Sequence, residues 1–237
     1  MAKKPVLRHE RMEVVYDKRH WGLLQSLRHE TAQLMEPLQK ANIDCIVHGS
    51  IARGDVSPTS DIDVFIPNPP TSVMIEQVLE RSDIHSIHRE IVQATPSYAA
   101  KAHIEVGDMR SISFPLVKLR VVERDFYRFG GELTLQELRQ GKRVPGVDKR
   151  LMLIEPTGEG HVESSIIGYE GVVASILGVR VDVVRDRVRV LVRRDKVGRT
   201  GVFASRELNP TESFEAVFQE MVDNNPAIRR RLRTTEK

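Results

Sequence analysis

The chain has 237 residues, of which 40% are hydrophobic and 29% charged, as is typical of a globular protein with one large domain or two small ones. A net charge of +3 is too small to indicate a class of partner, and aromatic residues, at 5%, are too few for a protein that binds single-stranded nucleic acid by stacking. No signal peptide or run of eighteen apolar residues occurs, and the single Cys45 excludes an internal disulfide, so we expect a cytoplasmic protein without a membrane partner.

The first predicted elements are a helix and two short strands. Apolar residues recur at helical spacing from about residue 17 to residue 40, and Pro37 should kink or end that helix. Apolar runs at residues 42–48 and 60–66 predict two strands. A loop of small residues, which opens onto a short helix, connects the strands.

Two acidic residues, Asp61 and Asp63, alternate with apolar residues in the second strand. Residues i and i+2 of a strand point to the same face, so both carboxylates should project together. They would repel each other unless a cation lay between them, and such hard oxygen ligands suit Mg²⁺ or Mn²⁺. Gly49 and Ser50 in the preceding loop offer backbone N–H groups and a helix start to phosphates. The motif therefore predicts a metal-dependent site for a nucleoside triphosphate (NTP).

Four further elements are predicted before residue 120. Pro67 ends the second strand, and Thr71 or Ser72 can cap a helix. Strands are predicted at residues 85–94, 98–106 and 111–118, the last two as a hairpin. The order is helix, strand, strand, helix, then further strands.

The loop and the two aspartates carry a resemblance to a known superfamily. Gly49-Ser50, the spacer at residues 51–60 and Asp61-Ile62-Asp63 resemble the signature of the polymerase-β-like nucleotidyltransferases, which include CCA-adding enzymes, poly(A) polymerases and antibiotic nucleotidyltransferases. The full string GSIARGDVSPTSDIDVFI is most similar to small predicted nucleotidyltransferases common in archaea. The resemblance implies an α+β fold, with a mixed β-sheet flanked by helices, and transfer of a nucleotidyl group (EC 2.7.7 type).

The resemblance also implies roles for individual residues. Asp61 and Asp63 would be catalytic and would bind the metal ions, while Gly49 and Ser50 would hold the triphosphate. Arg53 would add a bidentate phosphate clamp, or it would be a surface arginine at the start of a helix.

Active members of the superfamily normally carry a third carboxylate on a following strand, and its position in this chain is left open. If the first hairpin strand carries it, Glu105 is the catalytic acid, and Glu90 is a further alternative. If the second hairpin strand carries it, the matching residues are Ser111 and Ser113 and the acid is missing.

The sequence predicts four parts. They are a nucleotidyltransferase core at residues 17–120, a connector that packs on the core at 121–160, a small helix-turn-helix domain at 161–208, and an amphipathic helix with a basic tail at 209–237.

The helix-turn-helix prediction rests on a break between two helices. A helix at residues 169–177 is ended by Gly178, and Asp182 is predicted to cap a second helix with a buried stripe of Val184, Val188 and Leu191. Beyond it, Lys196 and Arg199 extend a basic surface into a β wing that ends at residue 203.

Three arginines on the second helix indicate a partner. Arg185, Arg189 and Arg193 repeat at i, i+4 and i+8, and their mutual repulsion favours a phosphate-rich ligand, RNA or DNA. The alternative is an interaction domain in which these arginines pair with neighbouring aspartates.

Two functions follow. The first is a Mg²⁺-dependent enzyme that moves a nucleoside monophosphate from an NTP to an acceptor, guided to nucleic acid by the helix-turn-helix domain. The second is a degenerate nucleotidyltransferase fold that senses a nucleotide and regulates by binding DNA. A companion protein chain is a further expected partner.

Overall fold

The computed structural model describes Pro5, residues 11–198 and residues 201–233. The strands of this part of the chain are β1 (Met12–Val15), β2 (Ile46–His48), β3 (Ile62–Phe65), β4 (His88–Gln93), β5 (Lys101–Gly107), β6 (Arg110–Pro115), β7 (Glu132–Thr134), β8 (Gly146–Val147), β9 (Met152–Pro156), β10 (Gly160–Ser165) and β11 (Ala204–Glu207). The helices are α1 (Lys18–Lys40), α2 (Ser50–Arg53), α3 (Ser72–Arg81), α4 (Val121–Gly130), α5 (Leu135–Arg139), α6 (Glu170–Leu177), α7 (Val181–Val197), α8 (Phe214–Asn224) and α9 (Pro226–Arg233). The predicted order of elements from α1 to β6 is confirmed, whereas β1 precedes the first predicted element.

The chain forms two compact units. The first is drawn from residues 1–32, 47–60 and 124–200, and the second from residues 33–46, 61–123 and 201–237. Among the described helices, none combines the length and the apolar character needed to cross a membrane.

A mixed sheet with strand order β11-β4-β5-β6-β3 forms the centre of the second unit. β3 and β6 run parallel, whereas the other neighbouring strands are antiparallel. The side chains alternate between the two faces of the sheet, and one face is apolar. Its buried residues are Ile62, Val64, Ile91, Ala102, Ile104, Ile112 and Phe114.

Helices α3 and α8 cover this apolar face. The ring of Phe214 on α8 packs edge to face against Phe114 on β6, with 5.5 Å between centroids. Arg89 on β4 reaches both helices, because its Nε lies 2.7 Å from a carboxylate oxygen of Glu76 on α3 and its guanidinium lies over Phe214. The mixed sheet and its helices therefore form one hydrophobic core, in agreement with the predicted α+β class.

The described residues of the predicted β wing do not form one: Lys196 belongs to α7, and the next strand begins only after residue 203, where the predicted wing ends. Ala204–Glu207 form β11, which pairs antiparallel with β4 and so belongs to the sheet of the second unit. The N–H of Phe203 also donates to the carbonyl of Ala94, which extends this pairing by one residue. Arg199, predicted as part of the wing, lies outside the described residues.

The predicted basic tail is helical in its described part and contributes a buried ion pair. Arg231 on α9 and Glu123 on α4 are each 3% exposed, and an Nη2 to Oε2 distance of 2.6 Å joins them. Glu123 also accepts from the N–H groups of Ala99 and Arg120. Burial by itself would raise the pKa of the Glu123 carboxyl, but these hydrogen bonds and the charge of Arg231 hold it below its usual value.

A four-stranded antiparallel sheet, in the order β1-β10-β9-β8, lies in the first unit. The predicted boundary at His161 falls inside β10, which pairs with β9 on one side and β1 on the other, so it does not coincide with a structural boundary. The short helix α5 is capped by Thr134, whose hydroxyl accepts from the N–H of Glu137 in a capping box.

Helices α6 and α7 also lie in the first unit and follow one another after a turn of residues 178–180. Gly178 ends α6 in the left-handed conformation, with φ of 61°, as the sequence predicted. The cap of α7 is Arg180 rather than Asp182, and the Arg180 N–H donates to the carboxylate of Asp125 on α4. Val184 is fully buried, while Val188 and Leu191 of the predicted stripe are only half-buried.

We expect Arg231→Met to lower the free energy of unfolding by about 3 kcal/mol, because it removes the closer and fully buried cation of the Glu123 carboxylate and leaves only Arg120, at 3.4 Å. Chemical denaturation at pH 7 measures this change. Arg230→Met, at an exposed site on the same helix, should stay within about 0.5 kcal/mol of wild type.

The pKa of Glu123 is lowered in the folded state, so the stability that it contributes is present above the unfolded pKa of about 4.3 and is lost as pH falls. The difference between wild type and Arg231→Met should therefore shrink below about pH 4. Equal stability of the two proteins at pH 7 would contradict the role of the ion pair.

Candidate functional site

Asp63 projects from the middle of β3. Its neighbours in the strand, Ile62 and Val64, are buried on the apolar face, so Asp63 lies on the opposite face of the sheet, where it is half-buried. Asp61 comes one residue before β3 begins and is exposed. The strand is shorter than predicted, and only Asp63 has its direction set by the sheet.

Ser111 on β6 lies directly beside Asp63 in the sheet. The two residues are paired in the register of the parallel strands β3 and β6, and the Ser111 hydroxyl donates to Oδ1 of Asp63 at 2.8 Å. On the neighbouring strand, the position next to the metal-binding candidate is therefore a serine. This is the arrangement expected if the third acid is missing from the second hairpin strand.

Glu105 occupies the same row of the sheet, one strand beyond Ser111. It pairs with Ser111 from the β5 side, so Asp63, Ser111 and Glu105 project from one face. Two strand spacings place the Cα atoms of Asp63 and Glu105 about 10 Å apart. Glu105 is exposed, whereas Glu90, on β4 and paired with His103, is half-buried.

His103 is a polar residue of this face to which the sequence assigned no role. It lies two residues before Glu105 on β5 and pairs with Ser113 of β6. Burial, reinforced by the charge of Lys101 and opposed by that of Asp63, lowers the pKa of His103 to about 4. The imidazole is therefore neutral at pH 7. Strand alternation with Glu105 was the signal that could have placed it here.

The Gly-Ser loop belongs to the first unit. Gly49 has φ of 86°, a left-handed conformation that favours glycine, and its N–H donates to the carbonyl of Gly131 at 2.9 Å. α2 begins at Ser50, whose hydroxyl donates to Oγ of Ser60 at 3.1 Å. The Ser60 hydroxyl oxygen also accepts from the N–H of Ser57. Ser60, the last residue of the spacer, is thus bonded both to Ser50 and to the chain just before it. Gly49 and Ser50 are only half-buried.

Arg53 is a structural residue and not the phosphate clamp considered from the sequence. It is 5% exposed, and its Nε and Nη2 each donate to one oxygen of Asp55 at 2.9 Å. Its Nη1 donates to the carbonyl of Gly130 at 2.6 Å. A guanidinium that is buried and bonded along all three nitrogens fixes the chain that follows α2, and it is not presented to a ligand.

The three arginines of α7 are exposed side chains. Arg185 and Arg193 lie on the surface, and Arg189 donates to Asp186 at 2.5 Å in an ion pair one turn away. Arg187 points elsewhere, since its guanidinium lies 4.9 Å from the ring centroid of Phe126 on α4. The structure therefore separates one arginine that packs from three that face solvent.

Asp61 and Asp63 fit Mg²⁺ only if water and substrate phosphates supply its other ligands. Among the described residues, no group of three or more His, Cys, Asp or Glu side chains is arranged to hold a metal ion. Mg²⁺ commonly binds through one or two carboxylates together with water and substrate phosphates. Asp61 and Asp63 meet that requirement by their chemistry.

Comparison with known proteins finds a family similarity over part of the chain. Residues 30–127 match the model of the nucleotidyltransferase domain family. This range includes Gly49, Ser50, Asp61, Asp63 and Glu105 and supports the nucleotidyltransferase superfamily, with nucleotidyl transfer as the general activity. No curated protein matches the chain, and no solved structure matches it.

We expect the His103 imidazole to remain neutral down to about pH 5, because its pKa is lowered to about 4. Lys101→Gln should raise this pKa by removing a nearby positive charge, and Asp63→Asn should lower it by removing a negative one. NMR titration of the imidazole in EDTA-treated protein measures both shifts. The exposed Lys40→Gln serves as a control and should leave the titration unchanged.

The same depressed pKa makes stability depend on pH. The unfolded chain takes up a proton at His103 near pH 6.5 and the folded chain only near 4, so the free energy of unfolding should fall as pH drops between these values. A normal titration of His103 would contradict the burial of this side chain.

Proposed function

We propose that the chain is a Mg²⁺-dependent nucleotidyltransferase that moves a nucleoside monophosphate from an NTP to an acceptor and releases pyrophosphate. The observation that carries the proposal is the position of Asp63. It projects from the polar face of the sheet, within the range that matches the nucleotidyltransferase family, while the residues on either side of it are buried. The closer likeness to archaeal nucleotidyltransferases rests on the string at residues 49–66.

Asp61 and Asp63 would hold the metal, and Gly49 and Ser50 would bind the triphosphate through backbone N–H groups and the serine hydroxyl. A bound Mg²⁺ supplies neutralisation of phosphate charge and lowers the pKa of an acceptor hydroxyl. The Ser111 hydroxyl keeps the Asp63 carboxylate in one orientation.

Glu105 is proposed to act on the acceptor side. It lies about 10 Å from Asp63 between Cα atoms, with Ser111 on the strand between them. It projects from the same face and is exposed, which suits a carboxylate that accepts the proton of an acceptor hydroxyl.

A second candidate function is nucleotide binding without transfer. The observation that favours it is Ser111, which occupies the position beside Asp63 where an acid would complete a three-carboxylate site. In this alternative, the loop and aspartates bind an NTP and the protein acts as a nucleotide-sensing regulator that binds DNA.

We expect Asp63→Asn to abolish transfer from α-labelled NTPs, a loss of at least about a thousandfold, because the substitution removes a charged metal ligand. The assay supplies each NTP with Mg²⁺ or Mn²⁺ and candidate RNA and protein acceptors. Asp83→Asn is the matched control: Asp83 is exposed, and its φ of 59° suits asparagine, so activity should be unchanged.

Glu105→Gln tests the role of Glu105 on the acceptor side. Loss of transfer with intact NTP binding would assign Glu105 to the acceptor side. Full activity of Asp63→Asn would reject the enzyme proposal, and NTP binding by a wild type that modifies no acceptor would favour the sensor.

The α6–α7 pair is proposed to guide the enzyme to nucleic acid, with a companion protein as a further partner. Two features support a helix-turn-helix: the three-residue turn that starts at Gly178, and the buried contact residues Ala174 and Val184. Arg185, Arg189 and Arg193 face solvent on α7 and would contact the phosphates of RNA or DNA.

Binding to a nucleic-acid duplex should weaken as salt rises, because phosphate contacts release counterions. The double variant Arg185→Gln/Arg193→Gln should reduce the slope of log K against log salt by about 2. Lys18→Gln/Arg19→Gln removes the same charge from exposed positions of α1 and should leave the slope unchanged. Fluorescence anisotropy at several salt concentrations measures it, and a wild-type affinity that is independent of salt would reject phosphate contact.

A further inference from the structure

The far end of α2, defined as the carbonyl groups of Ile51, Ala52 and Gly54, is bound by two basic side chains of α1. Arg28 donates through Nη2 to Ile51 at 2.9 Å and to Ala52 at 3.3 Å, and through Nε to Ile51 at 3.2 Å. His20 donates through Nε2 to the Gly54 carbonyl at 2.8 Å.

These bonds matter because α2 cannot hold its own position. It has four residues, a single turn, and so short a helix has little stability by itself. The Ala52 carbonyl also accepts from the N–H of Val144 at 3.3 Å, and Arg28 adds a cation that complements the dipole at the C-terminal end of α2. α1 is a 23-residue helix, so it provides a rigid support for the turn.

Arg143 tightens the same region from a different segment. Its side chain packs against Gly54, where an added Cβ would lie 2.6 Å from Cδ of Arg143, and the left-handed φ of 106° also favours glycine. Its guanidinium lies 4.8 Å from the Trp21 ring centroid and donates to the Gly160 carbonyl. Burial, with the positive charge of Arg143, lowers the pKa of Arg28 to about 10, which leaves Arg28 charged at pH 7.

The two ends of the loop are thus fixed separately. Gly49 is bound to Gly131 at the start of α2, and Arg28 with His20 binds its far end. The Arg28 guanidinium is directed at backbone carbonyls at the end of α2 opposite to Ser50, so it acts on Ser50 only through the helix.

We propose that Arg28 is a positioning residue for the triphosphate: it orients α2 so that Gly49 and Ser50 meet the phosphates, without touching them itself. This inference rests on the proposed function. Misplacement of a binding group by about 1 Å is enough to weaken a precisely oriented interaction. Removal of Arg28 therefore raises the NTP concentration needed for binding. The groups that would contact the reacting atoms are unchanged.

The experiment compares wild type with Arg28→Gln, Arg28→Lys and Arg19→Gln. Amide hydrogen exchange of residues 49–54 reports how firmly α2 is held. Calorimetric titration with ATP, CTP, GTP and UTP in Mg²⁺ gives the dissociation constants, and the transfer assay gives KM and kcat. Arg19 is an exposed arginine of the same helix and controls for the loss of charge.

Arg28→Gln is expected to speed exchange in α2 and to weaken NTP binding, each by about tenfold, as for the loss of one charged hydrogen-bonding group. KM should rise by a similar factor, and kcat at saturating NTP should stay within about twofold because Arg28 touches no reacting atom. Arg28→Lys should recover most of the affinity, since its ammonium can still donate to one carbonyl. Arg19→Gln should match wild type.

The outcomes separate this inference from the proposed function. Unchanged exchange or unchanged NTP affinity in Arg28→Gln, alongside normal NTP binding by wild type, would overturn the positioning role alone. A fall in kcat with unchanged KM would overturn it as well. A wild type that binds no NTP would overturn the proposed function and, with it, the assignment of Arg28 to triphosphate binding, whether or not exchange in α2 had changed.

Discussion

The two-residue alternation of the mixed sheet is the constraint on which the candidate site depends. Ile62, Ile104 and Ile112 are buried on one face, and a slip of one residue in any strand would expose one of them to solvent. The burial of these side chains therefore fixes the register of β3, β6 and β5. That register places Asp63, Ser111 and Glu105 in one row on the other face. Asp63, Ser111 and Glu105 therefore project from the same face because the hydrophobic core on the opposite face fixes the register.

The Gly-Ser loop shows a different kind of support. Its single helical turn is held by the side chains of Arg28 and His20. Both residues lie outside the motif, twenty or more residues earlier in the sequence. Arg53 lies inside the motif, and an arginine at that position is chemically suited to phosphate. Its burial against Asp55 gives it a structural role instead. The basic residue inside the Gly-Ser motif is thus used to build the loop.

The C-terminal residues show how pairing partners decide the role of a segment. The short run Ala204–Glu207 follows the predicted wing, and only its pairing with β4 identifies it as a strand of the mixed sheet. The arginines of α9 belong to the predicted basic tail, yet Arg231 is buried. Its guanidinium pairs there with the carboxylate of Glu123, more than a hundred residues earlier. In both cases the partner is distant in sequence, so the local pattern could not reveal it.

The sequence by itself determined the order of elements from α1 to β6, the Gly-Ser loop with its two aspartates, and the break at Gly178. These depend on local chemistry: side-chain periodicity, capping, and backbone conformations that favour glycine. Tertiary structure decided which residues stand beside Asp63, what Arg53 and Arg231 do, and where residues 204–207 belong. Each of those outcomes depends on strand register between distant segments or on the pairing of a buried charged group, and the spacing of nearby residues encodes neither.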